Sequence, residues 1–182
     1  RRFGNTGREV SEIGFGAWAI GGSWGEQKES DSLESLEVAL DQGVNFIDTA
    51  AGYGRGKSER IIGEFLKSRP EQVTVCTKTP PVPGKWPPSP YCKIEDRYPE
   101  SYLRENVEER LKNLQASSLD VLLLHTWTRA GNDRPLALEI LQKMKSEGLI
   151  KHSGISTPVQ DQNCVIQIMR EGVIDVLQVI YN

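Results

Sequence analysis

Short, β-rich apolar runs alternate with amphipathic helical stretches along the whole chain, and this alternation constrains the fold more than any other feature. Repeated β/α steps imply a parallel sheet, because each strand needs a helical crossover to bring the next one in beside it. After a turn at Gly4 and Gly7, SEIGFGAW reads as the first strand. DSLESLEVALDQG follows as a helix with Leu33, Leu36 and Leu40 on one face and Gly43 as its stop. VNFIDT is a second strand. KSERIIGEFLKSRP is a second helix, with Ser58 expected as N-cap, Ile61, Ile62, Phe65 and Leu66 on its apolar face, and Pro70 just beyond. VTVCTK is a third strand, joined by the proline-rich TPPVPGKWPPSPYCKIEDRYPES to the helix YLRENVEERLKNLQ. LDVLLLH is a fourth strand, apolar almost throughout, as expected when both faces are covered. Asp133 is expected to cap the next helix, with Pro135 in its first turn, LALEILQKMKSE as its body and Gly148 as its stop. LIKHSGIS, PVQDQNCVIQIMREG and IDVLQVIYN read as the fifth strand, fifth helix and sixth strand.

Two architectures satisfy this pattern, a doubly wound open sheet and a closed eight-stranded barrel. Polar residues decide between them, because they recur at the C-terminal end of nearly every strand, the face on which barrels assemble their chemistry. A dinucleotide-binding open sheet would need G-x-G-x-x-G after its first strand, and GFGAWAIGG has the wrong spacing. The expected class is therefore α/β, a (β/α)8 TIM barrel.

The remaining composition narrows the partners. A hydrophobic fraction of 37% and a charged fraction of 26% suit a globular chain. The formal charge of −3 carries no basic footprint for nucleic acid. No apolar stretch reaches the ~18 residues of a membrane helix, so no membrane insertion is expected. Cys76, Cys92 and Cys164 show no C-x-x-C spacing, which argues against a disulfide framework or zinc cluster and for a reducing, cytoplasmic compartment.

Four groups stand at the strand ends: Asp48 after the second strand, Tyr53 in the loop behind it, Lys78 after the third and His125 after the fourth. Singly, each has a bland reading as a turn former, a packed aromatic, a solvated charge or a core histidine. On one face of one barrel they form a proton-relay set. A phenol, with an ordinary pKa near ~10, gives up its proton reluctantly at neutral pH, and a neighbouring ammonium favours the phenolate. A lysine in a low-dielectric pocket tends to lose its proton unless a carboxylate keeps it charged. Asp48 is thus expected to hold Lys78, Lys78 to tune Tyr53, and a neutral His125 to fix a carbonyl oxygen by hydrogen bonding.

The order and spacing of these pieces resemble the aldo-keto reductases over essentially the whole chain. The resemblance is carried by G-x-G-x-W (Gly14, Gly16, Trp18), by DTAAGYGRGKSE, and by TKT, LLLHTW, SGIS and QVIYN. The signature from Asp48 to Glu59 is the most specific of them. The resemblance implies a (β/α)8 barrel that reduces an aldehyde or ketone to an alcohol by hydride transfer from a nicotinamide cofactor. It implies Tyr53 as general acid, Lys78 and Asp48 as its partners, and His125 as orienting donor. It places Asp48, Gly16, Trp18, Ser156, Thr157 and Gln178 at the cofactor. Ser156 and Gln178 match the family pattern, Thr157 replaces its asparagine, and Tyr181 and Asn182 complete Q-x-x-Y-N. NADPH is the expected cofactor, with NADH the alternative. A second reading keeps the same four groups: a cofactor-sensing regulatory subunit with little turnover.

A (β/α)8 barrel takes ~250 residues, whereas this sequence reaches only a sixth strand. We therefore expect a single barrel domain over 1–182 that stops before strands seven and eight, where phosphate-binding loops of such barrels lie. Trp24, Trp86 and Trp127, after strands one, three and four, are expected to ring the pocket mouth and suit a hydrophobic or planar small-molecule carbonyl substrate, or else to pack loops onto the barrel. The proline-rich segment 80–90 reads as a stiff lid or a rigid surface loop. Cys76 shares the face of Lys78 and is expected to be packed rather than nucleophilic.

Overall fold

The computed structural model describes residues 1–69, 73–85 and 89–181, so Pro70, Trp86 and Asn182 lie outside the described residues. The chain runs β1 (Phe15–Gly16), α1 (Glu29–Asp41), β2 (Phe46–Asp48), α2 (Lys57–Leu66), β3 (Thr74–Thr79), α3 (Ile94–Arg97), α4 (Glu100–Leu114), β4 (Leu119–Leu124), α5 (Leu136–Ser146), β5 (Ile150–Ser156), α6 (Ile166–Glu171) and β6 (Val176–Gln178). The strands form one parallel six-stranded sheet in the order β1-β2-β3-β4-β5-β6, curled into a half-barrel. Spatial order follows chain order without a reversal, so the sheet has no switch point of the doubly wound kind.

Side-chain alternation sorts this sheet into an inner and an outer face. Val121 and Leu123 of β4 meet Cys76 and Val176 on the inside. Leu122 and Leu124 point outward into the core formed with Leu103, Val107, Leu138, Leu141 and Met144 of the helices. On the other side of the sheet's outer face, Leu36, Leu40, Ile61, Ile62 and Phe65 of α1 and α2 cover Ile47 and Val75. Because β3 alternates in the same way, Cys76 and Lys78 share the inner face, while Thr77 turns outward to Glu59 of α2. The apolar helical faces read from the sequence are the buried ones. Gly43 and Gly148, with φ of 86° and 79°, terminate α1 and α5 in the left-handed conformation that glycine adopts without strain.

Local capping differs from expectation at two places. Gly56, not Ser58, caps α2, because Ser58 is drawn inside, donating to the Ala17 carbonyl (3.0 Å) and accepting from Thr49 Oγ1 (3.0 Å). Pro135, not Asp133, precedes the first turn of α5. The expected fifth helix splits into a one-turn helix over Gln162–Val165 and the short α6, and the sixth strand closes at Gln178, before Val179–Tyr181. The proline-rich connection contains α3, whose four residues the sequence pattern did not reveal. Among the described residues no helix is long and apolar enough to cross a membrane.

Candidate active site

The parallel register brings the C-terminal strand ends to one level: Gly16 lies opposite Asp48, Asp48 opposite Cys76, Lys78 opposite Leu123, and Ser156 opposite Gln178. His125 follows β4 directly, and its backbone N–H donates to the Thr79 carbonyl (2.9 Å), which ties it to the end of β3. A cleft of about 460 Å³ opens at this level and is lined by Asp48, Tyr53, Lys78 and His125 together with Trp18, Ser156, Thr157 and Gln178.

Lys78 is 1% exposed. Its Nζ donates to both Asp48 carboxylate oxygens (2.7 and 2.8 Å) and to the Thr49 carbonyl (2.8 Å), so all three ammonium protons have acceptors. The same Nζ lies 5.2 Å from the centre of the Tyr53 ring. The His125 ring meets the Tyr53 ring edge-on at 6.3 Å between centroids. Burial, reinforced by the Lys78 charge and opposed by Asp48, pushes the His125 pKa down to about 4, so the imidazole is neutral at physiological pH. Tyr53 Oη has no hydrogen-bond partner among the described residues, leaving its proton available to a ligand in the cleft.

Tyr53 is held by an unusual loop. Gly54, Arg55 and Gly56 all take positive φ, at 62°, 52° and 78°, and the chain doubles back into α2. A Cβ on Gly54 would lie 2.5 Å from the Gly21 carbonyl oxygen, and one on Gly21 would lie 2.6 Å from the Tyr53 carbonyl carbon. The one-turn helix over Ala19–Gly21 therefore rests backbone-to-backbone on the Tyr53 loop, an approach only glycine permits. Behind the loop Glu59 is fully buried and accepts from Thr77 Oγ1 (2.6 Å), Arg110 Nε (2.6 Å) and Asn113 Nδ2 (3.0 Å). The Ser-Glu end of the signature is thus a buttress, joining α2 to the turn after β1, to β3 and to α4. Sequence reasoning missed both devices; the paired glycines in GG and YGRG were the available signal for the first.

The other expected residues divide. Trp18 stacks on Tyr53 (6.0 Å, 21° between planes), with Trp24 tilted against it (5.3 Å), and the two are 49% and 73% exposed. Of the two readings of Trp127, pocket mouth or packing against the barrel, the structure shows the second: it is 1% exposed in the helix-side core. Its Nε1 donates to Asn132 Oδ1 (2.8 Å), and its ring lies flush on Gly131, so burial of a large apolar surface outweighs presentation to the cleft. Trp86 is outside the described residues. Gly16 lines a separate hollow with Phe3, Phe46 and Asp48, not the main cleft. Cys76 is buried beside Asp48, and its thiol is pushed far up by burial, so it stays protonated.

Ser156 Oγ and the Gln178 side-chain amide have no partner among the described residues and face the cleft, which fits the donor and acceptor pair of a primary amide such as a nicotinamide carboxamide. Thr157 is committed elsewhere: its Oγ1 donates to the Gln178 carbonyl (3.2 Å), and its N–H donates to the same oxygen (2.9 Å). Its hydroxyl proton is therefore spent within the protein.

The sequence profile described as "Aldo/keto reductase family" matches residues 12–182. The aldo-keto reductase YhdN of Bacillus subtilis is 36% identical over 155 residues, covering 84% of this chain and 45% of that protein. The NADH-specific methylglyoxal reductase of Escherichia coli is 34% identical, covering 98% of this chain and 57% of that protein. An aldo-keto reductase from Klebsiella pneumoniae, solved in complex with NADPH, superposes with a TM-score of 0.74 at 25% identity, over 98% of this chain and 57% of that one. Such relatives fold as (β/α)8 barrels, and the present chain spans about half the length of those it matches. From the strand-end cleft, the sheet order and these matches together, the chain belongs to the aldo/keto reductase family.

Proposed function

We propose that the protein containing this chain reduces a small aldehyde or ketone to an alcohol, within a single barrel domain, with NADPH as hydride source. The observation that carries the reading is Lys78, buried, saturated by Asp48 and Thr49, and set against the Tyr53 ring in a cleft that also holds His125. Tyr53 donates its phenolic proton to the carbonyl oxygen. Lys78 stabilises the phenolate left behind, and Asp48 keeps the lysine charged at almost no exposure. Neutral His125 donates a hydrogen bond that orients the same oxygen. Ser156 and Gln178 hold the carboxamide of the cofactor, and Trp18 and Trp24 wall the mouth. A reduced nicotinamide bound there supplies the hydride to the carbonyl carbon. NADH is the second reading for the cofactor, favoured by the NADH-specific relative.

The test is cofactor consumption by the full-length protein with a panel of aromatic and aliphatic aldehydes, using NADPH and NADH in parallel. Turnover supports the reading. Tight cofactor binding with no turnover on any carbonyl would instead mark a cofactor-sensing subunit, whose site can be identical.

A further inference from the structure

A second hollow, of about 300 Å³, adjoins the cleft and shares His125 with it. Its walls are the Pro80–Gly84 segment and Arg97, the last residue of α3. Arg97 is 8% exposed, yet its guanidinium makes no ion pair or hydrogen bond with any described residue, and its Nε is fully enclosed without a partner. Arg110 shows the usual alternative: also buried, at 1% exposed, it is paired with Glu59, Glu109 and Asn106. Arg97 is also held in position. Its backbone carbonyl accepts from Val82 N–H (2.9 Å), and its Nη1 lies against Gly84 so closely that a Cβ there would collide with it. The other buried side-chain polar atoms without partners among the described residues, Thr79 Oγ1 and Thr126 Oγ1, belong to the residues next to Pro80 and His125. A bare buried cation is costly unless an anion arrives to meet it.

We propose that this hollow seats a carboxylate carried by the carbonyl substrate, with Arg97 as its counter-charge, so that the preferred substrates are oxo acids. The proposal rests on the carbonyl-reduction reading above and adds the substrate class to it. With the carbonyl oxygen at His125 and Tyr53, the far end of a short molecule reaches past His125 into the hollow. There the guanidinium fork matches a carboxylate through two parallel hydrogen bonds. Pro80, Pro81, Val82 and Pro83 offer an apolar wall for the methylenes between and no side-chain donor to compete, and the low exposure of Arg97 strengthens the pair. Arg97 binds equally in ground and transition states, so its contribution falls on KM rather than on kcat.

The experiment compares ω-oxo carboxylates of increasing chain length with their methyl esters as substrates of the full-length protein. The expected result is a chain length at which the acid exceeds its ester at least ten-fold in kcat/KM. Arg97→Met should erase that preference by raising KM for the acid, with kcat and the ester kinetics nearly unchanged, and Arg97→Lys should retain part of it. Gly84→Ala, which displaces the guanidinium without removing charge, should weaken the acid in the same direction. Equal turnover of acid and ester by the parent, or equal losses on both in Arg97→Met, overturns the proposal while leaving carbonyl reduction standing. If neither is turned over, calorimetry with glutarate decides: binding lost in Arg97→Met supports the carboxylate seat, and binding indifferent to that change, or absent in the parent, overturns it.

Discussion

At the scale of single residues, burial rather than residue type decides what the strand-end groups can do. His125 and His152 are the chain's two histidines, and His125 is the one walled in beside a lysine. An unfolded histidine binds its proton near pH ~6.5, whereas folded His125 does so only at about 4. Its folded pKa is depressed, so the stability it contributes is complete above the unfolded value and is lost as pH falls toward 4. The loss is at most about 3.5 kcal/mol, given ~1.4 kcal/mol per unit. Urea unfolding of the parent and of His125→Gln across pH 7 to 4 should show a shallower acid slope in the variant. A proton NMR titration should show the ring still neutral at pH 5. The sequence located all four candidate groups because each closes a strand or opens its loop in a specific signature. It left Trp127 open between the pocket mouth and loop packing, since nothing local tells whether a tryptophan beyond a strand turns to the cleft or to the helices; Asn132 and Gly131 settle that through contacts made in three dimensions.

At the scale of elements, the signature loop works because helix and turn are braced from outside it. Glu59 of α2 is buried with Arg110 of α4, and removing one charge strands the other. Glu59→Gln should cost about 3–5 kcal/mol, measurable by chemical denaturation, whereas Thr77→Val, which removes a single hydroxyl from the same cluster, should cost about 1–2 kcal/mol. Gly54→Ala forces a side chain into a left-handed position and against the Gly21 carbonyl. It should destabilise the protein by roughly 1–3 kcal/mol and, by shifting Tyr53, slow reduction more than its effect on cofactor binding would explain; paired kinetics and fluorescence titration check this. The helical faces and glycine stops were legible because they follow from the 3.6-residue period and from glycine's freedom at positive φ. The caps of α2 and α5, and the presence of α3, were not. Ser58 had a stronger partner inside the barrel wall than at a helix end, and a four-residue helix leaves no periodic trace.

Across the whole molecule, the cleft exists only because six strand ends lie at one level. Asp48 comes from β2, Lys78 from β3, His125 from the position just after β4, Ser156 from β5 and Gln178 from β6, while Tyr53 is placed by a loop that rests on the turn after β1. Strict alternation in the sequence foretold the parallel sheet, and the polar strand ends favoured a barrel over an open sheet. The sheet order without reversal agrees with that choice. In the proposed reaction this convergence makes Tyr53 the proton donor to a carbonyl oxygen. Single-turnover cofactor oxidation by the full-length protein, comparing the parent with Tyr53→Phe, tests it most directly. The expected rate is lower by about 10²–10⁴, with cofactor affinity within a few-fold of the parent. A Tyr53→Phe protein that keeps its single-turnover rate within a few-fold would contradict it and move the proton donor elsewhere in the cleft.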